Sequence, residues 1–157
     1  MKWIIKGESV FMYIALILMS IFAFAQVITR YVFELPNVWI EETTRYLMVW
    51  MIFIGMAVAV RKKAHLDVDV VSIFFPSIGG KVRLFYEIVL LVFGTIFSGL
   101  TWKMVAFQWE MGQKSPAMQV PMAFIYLGMF VGGILMVIHL VVQLYNRFKA
   151  VASETAG

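Results

Sequence analysis

Charged residues between the first two apolar runs of the chain have the types and spacing that could do chemistry at a membrane. Glu41 and Glu42 precede Arg45 by four and three residues, so an α-helix would place all three on one face. Arg30 ends the preceding apolar run. Carboxylates at membrane depth can relay protons or pair with cations, because an unpaired charge there is costly.

The second apolar run spans a bilayer only if it includes these charges. After Arg45 it continues only to Val60, which gives a helix of roughly 22 Å at the usual rise per residue. A bilayer core is about 30 Å thick and needs about 20 residues. The helix must therefore begin near Trp39, with Asn37 as the expected N-cap, and the charges lie at or inside the membrane boundary.

Composition predicts an all-α integral membrane protein. The chain has 157 residues, of which 62% are hydrophobic, and its mean hydropathy is +0.89. A soluble domain is nearer half apolar. We predict one membrane domain over residues 1–157, with spans at about 10–30, 39–60, 84–107 and 120–144. Lys2, Lys6 and Ala23-Phe24-Ala25 are also typical of a signal peptide, but the first run is long enough to be a transmembrane helix.

The basic residues predict that both chain termini face the cytoplasm. In that orientation the inner segments hold most of the 13 lysines and arginines. The inner group is Lys2, Lys6, Arg61, Lys62, Lys63, Lys81, Arg83, Arg147 and Lys149, and the outer group is Arg30, Arg45, Lys103 and Lys114. Nucleic-acid binding is not indicated, because these residues lie at helix ends and do not form one basic face.

The segment between the second and third spans is predicted to lie flat on the membrane. Residues 67–78 are too short to cross the bilayer, and their apolar side chains fall on one side of a helix. We therefore expect a short interfacial amphipathic helix on the cytoplasmic side. In the third span, Glu87 stands one turn from Arg83 and is expected to be paired or to reach the interface.

Catalytic or cofactor chemistry finds little support in the sequence. The chain has no cysteine, which excludes disulfides and thiolate metal sites. His65 and His139 could hold a haem, so a haem- or quinone-linked small membrane anchor is the alternative function. The simpler interpretation is that His65 anchors its loop and His139 packs near a helix end.

A metal site is also not expected. His65, Asp67 and Asp69 are of metal-ligand type, but no second cluster completes a site, and Asp67 is equally a helix N-cap. We predict no catalytic residue and no metal site.

Small residues at four-residue spacing predict close packing of the helices in lipid. Small residues are also common in membrane helices generally, so the spacing leaves that alternative open. The predicted packing positions are Gly55, Ala59, Gly94, Ser98, Gly128 and Gly132.

The region from Arg30 to Asp69 carries a resemblance to a known family. Its matching residues are Arg30-Tyr31-Val32-Phe33, Pro36, Trp39-Ile40-Glu41-Glu42-Thr43-Thr44-Arg45-Tyr46, Trp50, Gly55, Ala59, Arg61 and His65 to Asp69. They resemble the small, DctQ-like membrane subunit of tripartite ATP-independent periplasmic (TRAP) transporters. The resemblance extends over nearly the whole chain, and the third and fourth spans add a compatible pattern.

The resemblance implies a function that composition does not show. The chain would be a multi-pass scaffold subunit of a bacterial inner membrane and not an enzyme. Its partners would be membrane lipids, a large TRAP membrane subunit and a periplasmic substrate-binding protein. The large subunit would hold the sodium and solute sites and move as an elevator, so no cofactor is expected on this chain. The solute would be an organic anion, such as a C4-dicarboxylate or a sialic acid.

The charge argument assigns a role to the cluster at the start of the second span. We predict that Arg30, Glu41, Glu42 and Arg45 lock the hairpin between the first two spans and support docking of the large subunit. Structural or docking positions carried over from the resemblance are Trp39, Trp50, Arg61, His65 and Asp67. The outer loops, around Glu34 and from Glu110 to Lys114, are candidates for contact with the binding protein.

Overall fold

The computed structural model describes the backbone of residues 2–35, 37–62 and 76–155. It contains four helices, and each includes a segment long and apolar enough to cross a membrane. The predicted four-span, all-α architecture is confirmed. The helices are α1 (Lys2–Tyr31), α2 (Val38–Arg61), α3 (Pro76–Met111) and α4 (Ala123–Thr155).

The helices extend beyond the predicted spans because hydropathy marks only their apolar parts. α3 begins at Pro76, so the last three residues of the predicted interfacial segment belong to its first turn. Residues 67–75 of that segment lie outside the described residues. Proline is well suited to the first helical position, where its missing N–H needs no partner. Gly112 has a φ of +60° directly after α3, as is common where a helix ends in the left-handed conformation.

The start of α2 differs from expectation in one detail. Asn37 occupies the N-cap position, but its side chain makes no capping hydrogen bond within the described structure. The Asn37 carbonyl instead accepts hydrogen bonds from the N–H groups of Ile40, at 3.2 Å, and Glu41, at 3.5 Å. Asn37 is therefore the N-cap residue, as expected, but its side chain does not close this first turn.

The four helices stand in the spatial order α1, α2, α4, α3. α1 packs against α2, α2 against α4, and α4 against α3. We call the end of the molecule that carries the starts of α1 and α3 and the ends of α2 and α4 the terminal end. The opposite end, with the connections α1–α2 and α3–α4, is the loop end.

α2 and α4 approach each other closely at two glycines. A Cβ added at Gly132 would lie 2.6 Å from the backbone of Phe53, and one added at Gly128 would lie 2.8 Å from the Trp50 ring. Backbone atoms cannot move aside as a flexible side chain can, so Gly132 permits the present distance between these helices. The centre of the contact is a buried cluster of Ala57, Val60, Met136 and Leu140.

Three of the other predicted packing positions, Gly55, Gly94 and Ser98, lie at helix contacts. A Cβ at Gly94 would lie 3.1 Å from Val137, and Gly55 faces the terminal methyl group of Met12. Ser98 is buried and its hydroxyl donates a 2.7 Å hydrogen bond to the Gly94 carbonyl. Ala59 is partly buried in α2.

α1 is the edge helix of this arrangement. Only 6% of its most apolar segment is buried within the chain, against 33% for α4. Tyr13 and Phe24 are both 69% exposed. Most of the apolar surface of α1 is therefore available to lipid or to another subunit.

Candidate functional site

At the loop end, the carboxylate of Glu42 is the centre of a buried polar cluster. Glu42 is 7% exposed, although it lies in the first turns of α2. Its Oε2 accepts hydrogen bonds from the backbone N–H groups of Ala117 and Met118, both at 3.0 Å. Its Oε1 accepts a hydrogen bond from the Tyr46 hydroxyl, one turn along α2. Glu42 therefore fastens the α3–α4 connection to α2.

Hydrogen bonds within the α3–α4 connection shape a turn that directs the N–H groups of Ala117 and Met118 toward Glu42. The Ser115 N–H donates to the Val120 carbonyl at 2.9 Å, and the Gln119 N–H donates to the Ser115 carbonyl at 3.2 Å. Gln119 has a φ of +56°, which closes the turn. Ser115 is fully buried at the base of the turn, and Ala117 and Met118 at its tip meet Glu42.

Trp50 joins the same two elements one layer deeper. Its indole Nε1–H donates a 3.0 Å hydrogen bond to the carbonyl of Phe124, in the first turn of α4. Because Gly128 has no Cβ, the indole can pack closely against α4 at this position. Trp50, carried over as a structural position, thus contributes to the contact between α2 and α4.

Glu41 and Arg45 form a separate pair on the outside of α2. Arg45 Nη2 and Glu41 Oε1 are 3.1 Å apart, and the two side chains are 68% and 56% exposed. This is the four-residue spacing expected from the sequence. An exposed pair of this kind contributes little stability.

Arg30 lies near Glu41 without joining the Glu42 cluster. Both line a cavity of about 230 Å³ between the end of α1 and the start of α2, together with Gln26, Asn37 and Val38. Within the described residues Arg30 has no ion pair. Among the described residues, the four charged side chains therefore do not form one connected cluster. Glu42 binds the α3–α4 connection, while Arg30, Glu41, Arg45 and the half-exposed Trp39 face outward.

A second buried cluster lies at the terminal end. Glu8 of α1 is 5% exposed, and its Oε1 is 2.6 Å from Nε2 of His139 in α4. Its Oε2 lies 3.5 Å from Nε of Arg61, the last residue of α2. Nearby, the Gln143 side-chain amide donates a 2.9 Å hydrogen bond to the Val60 carbonyl. Three helices are linked here through side chains.

α3 is joined to α4 at the same end by another ion pair. Arg147 Nη1 of α4 lies 3.3 Å from Glu87 Oε2 of α3. Glu87 is 6% exposed. The sequence placed Glu87 near Arg83 of its own helix, and the structure gives it a partner on the neighbouring helix.

The structure places the His139 ring against Glu8. Its Nε2 is engaged with Glu8, and a haem iron would need to displace that contact. His65 and Asp67 lie outside the described residues. In the described part of the chain, no group of three His, Cys, Asp or Glu side chains could hold a metal ion.

Sequence reasoning missed Glu8 and the Ser115–Gln119 turn. Glu8 is the only acid in the first apolar helix, and a lone carboxylate there requires a partner. Arg61 and His139 fall at the same depth when the spans are laid antiparallel, so this pairing could have been found. The turn gave no comparable signal, because its contribution to the cluster comes from backbone N–H groups.

The fold and these clusters define a multi-pass membrane subunit whose buried charges join its own helices. Comparison with known sequences identifies the family. Residues 19–150 match the family model described as tripartite ATP-independent periplasmic transporters, DctQ component. The match extends over most of the chain, which therefore belongs to this family.

Three relatives show the extent of the similarity. A Haemophilus influenzae chain named as a TRAP transporter small permease protein is 28% identical over 132 residues, 83% of this chain and 81% of that one. The C4-dicarboxylate TRAP transporter small permease protein DctQ of Vibrio cholerae is 31% identical over 80 residues, 51% of this chain and 33% of that one. The sialic acid TRAP transporter permease protein SiaT of Haemophilus influenzae is 39% identical over 75 residues, 46% of this chain and 12% of that one.

These relatives establish the class of function. The protein is a small permease subunit of a TRAP transporter, located in the inner membrane, and it is not an enzyme. Small subunits of this family work with a large permease subunit. In SiaT the matching segment occupies only a small part of a much longer permease chain.

Proposed function

We propose that this chain is a static scaffold that braces the large permease subunit of a sodium-driven importer of an organic anion. The proposal rests on one observation: the buried charged side chains bind other groups of the same chain. Glu42 binds the chain's own loop, and Glu8 contacts both Arg61 and His139. Groups engaged in this way support a role in holding the helices together, whereas a solute site needs polar groups free to bind the solute.

The uncovered helix surfaces are suited to such a scaffold. α1 is mostly uncovered, and α3 also exposes large apolar side chains such as Phe85 and Phe93. In a bilayer these surfaces contact either lipid or the helices of another subunit. We propose that one side of this row of four helices contacts the large subunit and that the remaining surface contacts membrane lipids.

The loop end is proposed to face the periplasm and the terminal end the cytoplasm. The excess of lysine and arginine at the terminal end supports this orientation. A periplasmic binding protein would then meet the α3–α4 connection, where Glu42 holds the backbone and Lys114 and Met118 are exposed. Glu34 in the α1–α2 connection is exposed at the same end.

The solute and the coupling ion are proposed to bind the large subunit. Two relatives carry names that specify a C4-dicarboxylate and a sialic acid, both of which are organic anions. We therefore propose an organic anion as the solute, sodium as the driving ion and no cofactor on this chain.

Reconstitution with the natural partner tests the proposal. The large subunit that co-purifies with the tagged chain would be placed in liposomes with it, and the binding protein added outside. Uptake of labelled C4-dicarboxylate and sialic acid would be measured with and without a sodium gradient.

We expect uptake only when both membrane subunits and the sodium gradient are present. Vesicles with either subunit alone are the controls. Transport by this chain alone, or undiminished transport by the large subunit alone, would show that the chain is not a scaffold for its partner.

A further inference from the structure

The cluster of Glu8, Arg61 and His139 has a distinctive charge balance. Glu8 and His139 are almost fully buried, with side chains 3% and 1% exposed, and the Arg61 side chain is 17% exposed. An arginine keeps its positive charge in proteins. With Glu8 ionised, the three groups are therefore neutral together only if His139 is neutral.

The hydrogen-bonding environment of His139 also indicates a neutral imidazole. A neutral His139 protonated at Nε2 donates to Glu8, and its Nδ1 is then an acceptor. Among the described residues, Nδ1 is buried and has no hydrogen-bond partner. A positively charged imidazole would carry an N–H at this position too, and a buried donor without a partner would add to the cost of the extra charge.

The position of Glu8 gives the cluster a mechanical role. In the described structure the backbone of α1 approaches α2 but not α4. The Glu8 side chain nevertheless reaches His139 on α4 as well as Arg61 on α2. Since α1 is the edge helix and buries little of its surface, this cluster is a specific attachment to the rest of the row.

We propose that Glu8, Arg61 and His139 form a charge-balanced clamp that fixes the edge helix α1 to α2 and α4. Arg61 is the counter-ion of Glu8, and His139 is a neutral hydrogen-bond donor. Glu87 and Arg147 form an ion pair between α3 and α4 at the same end. This assignment concerns the chain itself and does not depend on the identity of the solute.

Charge-balanced substitutions test the clamp in the full chain with its large subunit, held in lipid nanodiscs. Glu8→Gln or Arg61→Met alone should lower the melting temperature by about 10 °C, since each leaves a buried charge without its partner. The double variant E8Q/R61M is neutral again and should melt within about 3 °C of the wild type. Lys62→Met, which removes the exposed cation next to Arg61, is the matched control and should have no effect.

A double variant that shows the sum of the two single losses would overturn the clamp. Single variants as stable as the Lys62→Met control would overturn it as well. In either case Glu8 and Arg61 would be close in space without depending on each other.

The charge state of His139 can be measured directly on the wild-type residue. The chain has two histidines, so His65→Gln leaves only His139 to be seen after ¹⁵N-histidine labelling. At neutral pH we expect two widely separated nitrogen resonances, as given by a neutral ring with one protonated nitrogen. Two similar resonances of the protonated-nitrogen type would identify a charged ring and overturn the assignment of Arg61 as the counter-ion.

Discussion

Glu42 and Glu8 are both buried carboxylates, at opposite ends of the molecule, and they are stabilised in different ways. Glu42 at the loop end binds two backbone N–H groups of a connection. Glu8 at the terminal end binds the side chains of an arginine and a histidine. In the middle of a helix each backbone N–H is already bonded within the helix, so the surroundings of Glu8 offer only side chains. A turn leaves N–H groups free, and Glu42 uses them.

The two ends of the molecule should therefore respond differently to substitution. The loop-end cluster depends on one charged side chain, on the Tyr46 hydroxyl and on the shape of a turn. The terminal-end cluster depends on three side chains whose charges must balance. Removing the carboxylate of Glu42 should therefore be as damaging as removing one member of the Glu8–Arg61 pair, but at the loop end no second substitution can restore the charge balance.

Glu42→Ala should cause a loss of stability as large as that of Glu8→Gln. It leaves the N–H groups of Ala117 and Met118 without their acceptor in a partly buried turn. Hydrogen bonds to a charged group are stronger than neutral ones, so we expect the melting temperature of the nanodisc-held protein to fall by about 10 °C. Differential scanning fluorimetry would measure it.

Two neighbours provide the controls for Glu42→Ala. Glu42→Gln keeps one oxygen acceptor and should lose about half as much stability as the alanine variant. Glu41→Ala removes an adjacent acid from the exposed face and should be nearly neutral. If Glu41→Ala were as damaging as Glu42→Ala, the distinction between the two glutamates would be wrong.

His139→Leu should have the next largest effect and act at the terminal end. It removes the donor to Glu8 Oε1 and leaves that buried oxygen without its hydrogen bond, so we expect a fall of about 6 °C. His139→Gln can still donate from its side-chain amide and should lose less than half as much. Equal losses in the leucine and glutamine variants would mean that the imidazole serves only to fill space.

Trp50→Phe tests the neutral hydrogen bond that lies beside the loop-end cluster. The phenyl ring keeps most of the packing over Gly128 but cannot donate to the Phe124 carbonyl. We expect the melting temperature to fall by about 3 °C, as is typical of one uncharged hydrogen bond. A loss as large as that of Glu42→Ala would show that packing of the indole, and not its N–H, holds α4 in place.

The fold could be predicted from the sequence because the bilayer restricts the choices. Four apolar runs of spanning length can only form membrane helices, and the structure contains four. The ends of these helices were less predictable. α3 begins at Pro76 and α4 extends to Thr155, since a helix continues past its apolar part wherever backbone hydrogen bonding allows.

The candidate sites were predictable only where the partners are local. The pair of Glu41 and Arg45 follows from its four-residue spacing, and the structure contains it. Besides the local Tyr46 hydroxyl, Glu42 binds backbone N–H groups about 75 residues away, which carry no signature in residue type. Glu8 is an intermediate case. The sequence shows that this carboxylate needs a partner, but only the packing of three helices shows that the partners are Arg61 and His139.

Arg45→Ala should produce the smallest change in stability and still affect function. The Arg45 side chain is 68% exposed, and among the described residues its ion-pair partner is the outward-facing Glu41, so the melting temperature should change by less than about 2 °C. If this face docks the large subunit, as we propose, Arg45→Ala should reduce co-purification of that subunit several-fold. Quantitative immunoblotting of the tagged complex would measure this.

Lys103→Ala is the matched control for Arg45→Ala, because it removes another exposed cation near the loop end. It should leave both stability and co-purification unchanged. The stability assay and the co-purification assay together distinguish the buried Glu42 from the exposed pair of Glu41 and Arg45. Glu42→Ala would lower co-purification only as far as it unfolds the chain, whereas Arg45→Ala would lower it in a fully folded protein. Normal co-purification with Arg45→Ala would move the docking surface away from this face and leave Glu41 and Arg45 as an ordinary surface pair.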